Sequence, residues 1–364
     1  MAYDPAFVIR DGVLREYSKS SPLIQRKNSS NVVVIPEGVT VIGSRAFFFN
    51  IDIKEVVIPR GVTAIEDFAF FNCRSLERVN LPESLEAIGE SAFGRCERLE
   101  SIVIPASVER IGSGAFSENK RLCLSLADPI ESRFVLIDDV LYSKDVKRLL
   151  HCPSDKSYCM IPEGVEEIAG GAFSGCEDLK TLRLPDSIRK LGASSFDSCE
   201  SLQSINLPPG LESIGESCFA DCLSLRSIVV PGKVSLIEEY TFSDCENLGS
   251  VTIPQGVVTI GSCAFEQCAE LRSVMIPPSV QTIEVGAFSG TGLEAVQVPG
   301  SCDVYTDAFP EKCIVTRYAD APVPLSLESL REGLRAEGRC QYCGGGFKGM
   351  IRRICSSCGT PKDY

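Results

Sequence analysis

Four cysteines near the end of the 364-residue chain have the type and spacing of a metal site. Cys340 and Cys343 form one C-x-x-C pair and Cys355 and Cys358 a second, with eleven residues between the pairs and Gly344 or Gly359 after each. Two residues between thiolates let one tight turn offer both sulfurs to a single ion, and the glycine lets the backbone turn beneath it. Two such turns supply the tetrahedral four-sulfur set that Zn²⁺ takes in closed structural sites. Iron is the second candidate, because a tetrahedral four-sulfur site suits both ions. Paired disulfides are the third and need an oxidising compartment. With every ligand supplied by protein, the site is expected to fold the tail and not to catalyse.

Other chemistry is sparse. The chain has one His and no Trp, with 36 basic and 49 acidic residues, a formal net charge of −13. A single His nearly removes Ser-His-Asp and Cys-His nucleophile schemes and multi-His metal centres. That His151 adjoins Cys152 in LLHCPSDKSYC, where neighbouring strand residues point to opposite faces and make a poor nucleophile pair. Cys152 with Cys159, and Cys302 with Cys313, would pair if oxidised but read more simply as small core thiols. Glu238-Glu239 and Asp138-Asp139 fall at turn or surface positions, so a carboxylate dyad has no support beyond composition. No phosphate-binding G-x-x-x-x-G-K-S/T occurs. The expectation is a protein that is not an enzyme. The acidic balance also opposes a basic-groove nucleic-acid binder. No apolar run nears the roughly 20 residues of a membrane span. MAYDPAFVIRDGVLREY lacks a secretory signal pattern, so the expected location is cytoplasmic, with surface display open if a leader has been lost.

What must position any site is a repeat. Ile/Leu/Val-Pro recurs with its proline at Pro36, Pro59, Pro82 and Pro105, then at Pro162, Pro185, Pro208, Pro231, Pro254 and Pro277, and last at Pro299. The spacing is 23 within each run, 57 across the gap and 22 at the final step. Eleven residues after the proline stands Phe, at Phe47, Phe70, Phe93, Phe116, Phe173, Phe196, Phe219, Phe242, Phe265 and Phe288. Fourteen after it stands Cys or a small polar residue, such as Asn50, Cys73, Cys96 and Asn119. One such unit cannot bury its apolar positions alone, so neighbours must stack. Val79-x-Leu81 and Ile102-x-Ile104 alternate with period two, which predicts one parallel strand per coil. Proline ends each strand because it has no N–H for the ladder. The polar-and-Ala stretch before Phe predicts a helical turn. Ten Phe in register predict a spine, and the Cys/Asn column predicts buried donors for stray backbone carbonyls.

CRSLERVNLPESLEAIGESAFGRC, from Cys73 to Cys96, resembles the BspA-like leucine-rich repeat almost position for position. The resemblance runs over about residues 7–317. It implies an α/β leucine-rich repeat solenoid of bacterial type, a right-handed superhelix with a parallel sheet on its concave side and short helical turns outside. FVIRDGVLREY from Phe7 and FVLIDDVLYSK from Phe134 break the period alike and look like hairpins. The expected organisation is residues 1–128 as a first hairpin and repeat block, and 129–317 as a second, continuous with it. Residues 318–338 are a linker and a short helix carrying Leu327, Leu330 and Leu334, and 339–364 are the cysteine tail. That tail resembles a short zinc ribbon. It has fewer aromatics (Tyr342, Phe347, Tyr364) than the iron-binding rubredoxins, which favours zinc. From Ser326 on there are seven basic and four acidic residues. Lys348, Arg352 and Arg353 could reach phosphate, but the acidic body would repel it, so nucleic acid is disfavoured and a ribbon capping the open solenoid end is favoured.

The partner surface is expected on the solvent side of the strands. One column of the second block includes Ser204, Ser227, Ser250 and Ser273; the next includes Arg183, Asn206, Val229, Thr252 and Met275, with Arg226 and Arg272 nearby. Such a neutral, partly apolar strip on an acidic chain would seat a protein or peptide. The plain alternative is that Ser is simply small and soluble at crowded strand positions. The expected function is therefore a non-catalytic binding scaffold. The alternatives are a surface adhesin of the same fold, or a nucleic-acid-linked regulator acting through the tail.

Overall fold

The computed structural model describes residues 6–17, 31–318, 347–348 and 354–355. The chain forms two compact units, Met1–Lys180 with Ser187–Ser201, and Thr181–Asp186 with Leu202–Tyr364. Both are built from the 23-residue coil, and each coil has three segments.

The first segment is the strand before the proline. In the first unit Val32–Val34, Glu55–Val57 and Arg78–Val79 pair in parallel, as do Ser101–Ile104 and Cys123–Leu126. In the second, Thr181–Arg183 pairs with Ser204–Asn206 and Ser227–Val229 with Ser250–Thr252. Alternation sends Val56 and Ile102 inward, each 1% exposed. The proline then closes a tight turn: the carbonyl of Pro82 accepts from the Leu85 N–H at 2.9 Å, and that of Pro208 from Leu211 at 3.0 Å.

The second segment is another strand, only two residues long. Val41–Ile42, Ala64–Ile65, Ala87–Ile88 and Arg110–Ile111 form a second parallel ladder, and Leu236–Ile237, Thr259–Ile260, Thr282–Ile283 and Asp303–Val304 form its counterpart in the second unit. Most coils thus hold two strands, where the alternating pattern predicts one; the stretches before Pro162 and Pro277 contain no first strand. The two breaks in the period are antiparallel hairpins that feed this ladder. Val13–Tyr17 pairs with Phe7–Arg10 and runs parallel to Val41–Ile42. Val140–Ser143 pairs with Phe134–Ile137 and with Arg148–His151, which then runs parallel to Glu167–Ile168.

The third segment corrects the helical turn. The described residues contain no helix, so the fold is a β-solenoid and not an α/β one. The reason lies in where the N–H groups go. Those of Arg45, Phe47 and Phe49 donate to Asp67, Ala69 and Phe71 of the next coil, while those of Ala46, Phe48 and Asn50 donate three residues back. A helix would keep every one of these bonds within the coil. The alternation instead requires a left-handed residue at every fourth position, with φ of 60° at Arg45 and 58° at Phe49, and 59° at both Phe68 and Asn72. This turn ladder skips the second hairpin: the Gly114 N–H donates to Gly170 at 2.7 Å. A Cβ on Gly171 would lie 2.6 Å from the Cα of Gly114, and both residues have positive φ, so glycine is required on both sides of the junction.

The core is the aromatic spine. In the first unit Phe47, Phe70, Phe93 and Phe116 stack at 4.8, 5.2 and 6.2 Å, and Phe173 stacks on Phe196 at 5.0 Å. Tyr17 begins the series against Phe47, and His151 meets Phe116 edge-on at 5.9 Å. In the second unit Phe219, Phe242, Phe265 and Phe288 continue to Phe309, which the 23-residue spacing does not reach. Beside the rings runs the thiol column. Cys73 Sγ donates to the carbonyl of Phe47 at 3.1 Å, Cys96 to Phe70 at 3.2 Å, Cys245 to Phe219 and Cys268 to Phe242 at 3.1 Å. Asn119 Nδ2 does the same for Phe93 at 2.7 Å. Burial pushes the Cys73 thiol up to about 12, so that thiol is protonated and inert as a nucleophile.

Candidate partner-binding face

All eleven residues of the expected partner surface fall in the second unit. Parallel pairing places Ser204 beside Thr181 and Ser250 beside Ser227; at the far end of the same strands Asn206 stands beside Arg183 and Thr252 beside Val229. The residues between them, Leu182, Ile205, Ile228 and Val251, point inward, so period two holds the flanking side chains on the solvent side. Ser273 and Met275 occupy the same repeat positions one coil later, outside any strand. Val229 is 37% and Met275 70% exposed, Ser227 and Thr252 are half-buried, and the others are exposed.

The charges differ between the units. In the first unit this column carries an ion pair in two coils, Arg78 giving Nε and Nη2 to Glu55 Oε2 at 3.1 and 2.8 Å across the strands, before Ser101 follows. In the second, serine stands at the Glu55 and Arg78 position in four coils, leaving the backbone close to the surface and uncharged. Arg272 is held by Glu270 at 3.0 Å, while no carboxylate among the described residues forms an ion pair with Arg183 or Arg226. Asn206 is committed to the fold: its Oδ1 accepts from the Leu184 N–H at 2.8 Å and its Nδ2 donates to the Leu184 carbonyl at 3.0 Å. Asn80 makes the same pair of bonds to Ile58. The asparagine at this position mends the ladder where a strand ends.

The remaining candidates separate. His151 is buried, its Nε2 has no hydrogen-bond partner, and burial pushes its imidazole down to about 4. Cys152 is also buried, with its thiol on the Pro153 carbonyl at 3.7 Å. Asp138 and Asp139 are an exposed hairpin turn. A cleft of about 800 Å³ in the first unit is lined by charges of both signs, among them the pairs Arg74 with Glu97, Arg95 with Glu118 and Lys120 with Glu177. Cys340, Cys343 and Cys358 lie outside the described residues, as do the linker leucines Leu327, Leu330 and Leu334. Cys355 is described by its backbone alone, in an antiparallel pair that sets Phe347 opposite Cys355 and Lys348 opposite Ile354. Among the described residues no helix is long and apolar enough to cross a membrane.

Comparison with known proteins points the same way as the coil. The model of the BspA type leucine-rich repeat region matches residues 25–131, 151–247 and 189–316. No curated protein matches. The chain is similar in structure to a leucine-rich repeat protein from Eubacterium ventriosum, with a TM-score of 0.71, 25% identity, and coverage of 86% of this chain and 91% of that one. It is also similar to the pneumococcal vaccine antigen PcpA, with a TM-score of 0.51, 21% identity, and coverage of 81% and 89%.

Proposed function

Because the chain belongs to the BspA-type leucine-rich repeat family, we propose that it is a non-catalytic scaffold that holds a protein or peptide on the strand face of its second unit. The observation that carries this reading is the serine column. Four successive coils present a small, uncharged residue where two coils of the first unit present an ion pair, and Val229, Thr252 and Met275 supply apolar contact beside it. Small side chains allow close approach of an extended partner, and the flanking arginines give it a charge preference. Substituting Ser227→Asp, Val229→Asp and Ser250→Asp together is expected to reduce ligand capture from the native cell at least tenfold, with circular dichroism checking that the fold survives two Asp on paired strands. Cross-linked capture that is equal for wild type and triple variant would sink the reading.

For the tail we propose a structural zinc held by Cys340, Cys343, Cys355 and Cys358. The antiparallel backbone pair between the two C-x-x-C turns supports it, because a hairpin there brings the two turns to one end. We also place the protein in a reducing compartment, as most of the described cysteines are small thiols buried in the core. One mass-spectrometric experiment checks both. Native spectra should carry one zinc that is lost when the four cysteines become serine. Denaturing alkylation without reductant should label the other fourteen. An ion-free native mass, or blocked thiols, would overturn the respective proposal.

A further inference from the structure

The first two coils depart from their own repeat at positions where the fold asks for nothing large. The residue after the spine phenylalanine is small or polar in every later coil, from Gly94 and Ser117 to Glu266, but Phe48 and Phe71 here. The residue after that is polar or glycine in every later coil, as at Asn72, Arg95, Gly175 and Gln267, but Phe49 in the first coil. These rings are not core. Phe48 is 40%, Phe49 53% and the nearby Ile51 56% exposed. Phe48 lies 4.5 Å from Phe49 and 5.6 Å from Phe71, and Phe68 meets Phe71 edge-on at 5.7 Å. Phe49 and Phe68 also hold the left-handed turn positions, with φ of 58° and 59°. A bulky residue enters that region at a cost, and most other coils place Asn, Ser, Asp or Gly there. The patch therefore runs against both solvation and backbone preference in two adjacent coils.

Charge tells what it fits. Arg45 lies over two of the rings, 5.5 Å from Phe48 and 5.7 Å from Phe68, and no carboxylate pairs with it among the described residues. Arg95, over Phe71 at 5.7 Å, is by contrast neutralised by Glu118 at 2.8 Å. An unneutralised guanidinium among exposed rings is complementary to an anion carried between apolar groups. The chain's own sequence between Tyr17 and Asn31 offers Lys19, Arg26 and Lys27 and no acidic residue, so it cannot supply that anion.

We propose that this patch is a second docking surface, for a peptide segment of a partner protein that presents a carboxylate between apolar side chains, the carboxylate meeting Arg45 and the apolar groups meeting Phe48, Phe49 and Phe71. It is independent of the strand face of the second unit. The test pans a phage-displayed library of twelve-residue peptides on the full chain, with the F48S/F49N variant as counter-selection. Ser and Asn are the residues that Ser117 and Asn72 already place at these positions, so the variant keeps its fold. Enriched peptides should carry Asp or Glu beside aromatic or aliphatic residues. They should bind about tenfold or more weakly to F48S/F49N and to R45Q, as expected for a lost charge-assisted contact. Were the double variant to misfold, R45Q alone, at an exposed residue, carries the comparison. No enrichment over the counter-selection, enriched peptides without an acidic residue, or affinity unchanged in R45Q would overturn the proposal. So would a dimer in sedimentation that F48S/F49N dissociates, which would give the patch to a second copy.

Discussion

Replacing Phe242 by Ala is expected to cost about 3–5 kcal/mol of stability, well beyond what a change on the surface of a coil costs. Phe242 is fully buried, stacked 5.4 Å from Phe219 and 5.2 Å from Phe265 with nearly parallel planes. Its carbonyl accepts the Cys268 thiol, and its N–H donates to Ala264. The truncation leaves a ring-sized void between two rings that cannot close it, because hydrogen bonds from coil to coil fix their backbones. In a repeat array each coil is held by its neighbours alone, so the void also uncouples the coils on either side. Denaturant unfolding should show both effects, a lower midpoint and a transition that broadens or splits. A loss under about 1 kcal/mol with an unchanged slope would show that the spine does not carry the core.

The second large effect is a dependence on pH that belongs to one residue. The His151 imidazole is pushed from 6.5 to about 4 by burial in the folded chain. The neutral form is thus the folded form. Its stability contribution is full above pH 6.5, falls as the pH drops through 6.5 while the unfolded chain takes up the proton, and levels off below about 4. At roughly 1.4 kcal/mol per pH unit the whole loss is about 3 kcal/mol. His151 meets Phe116 edge-on, next to the end of one run of stacked rings, so phenylalanine is the natural replacement. His151→Phe should melt higher than wild type, by a gap that widens between about pH 7 and pH 4.5. Melting curves that run parallel over that range would show that His151 has no such shift. The carboxylates titrate in both proteins and cancel from the difference.

The period made the coil legible. Pro59, Phe70 and Cys73 recur because each has a geometric duty that every coil repeats, and the structure gives them those duties: turn, spine ring, carbonyl donor. What the period hid are features with no periodicity of their own. A strand of two residues, such as Ala64–Ile65, is too short to show alternation. The polar-and-Ala stretch reads as helical by composition, yet its hydrogen bonds go to a coil 22 residues on, a partner no local window contains. Asn206 reads as a ligand-facing polar residue because its strand position is solvent-side, and its bond to Leu184 depends on where the neighbouring strand ends. Phe48 and Phe49 are obscured by Phe47, which accounts for the run of three by core duty alone. Comparing the coils with one another, and not only with a consensus, is the signal that finds them.

The turn ladder also acts as a reading frame. Because alternate N–H groups from Arg45 to Phe49 find their acceptors 22 residues ahead, an insertion of one residue within a coil would present carbonyls to carbonyls and rotate a spine ring out of line. Length can change only in whole coils, or in a segment that the ladder passes over. The direct bond from Gly114 to Gly170 marks such a segment. The stretch it bridges, with its hairpin, is where a chain of this kind can gain or shed sequence without any coil losing count.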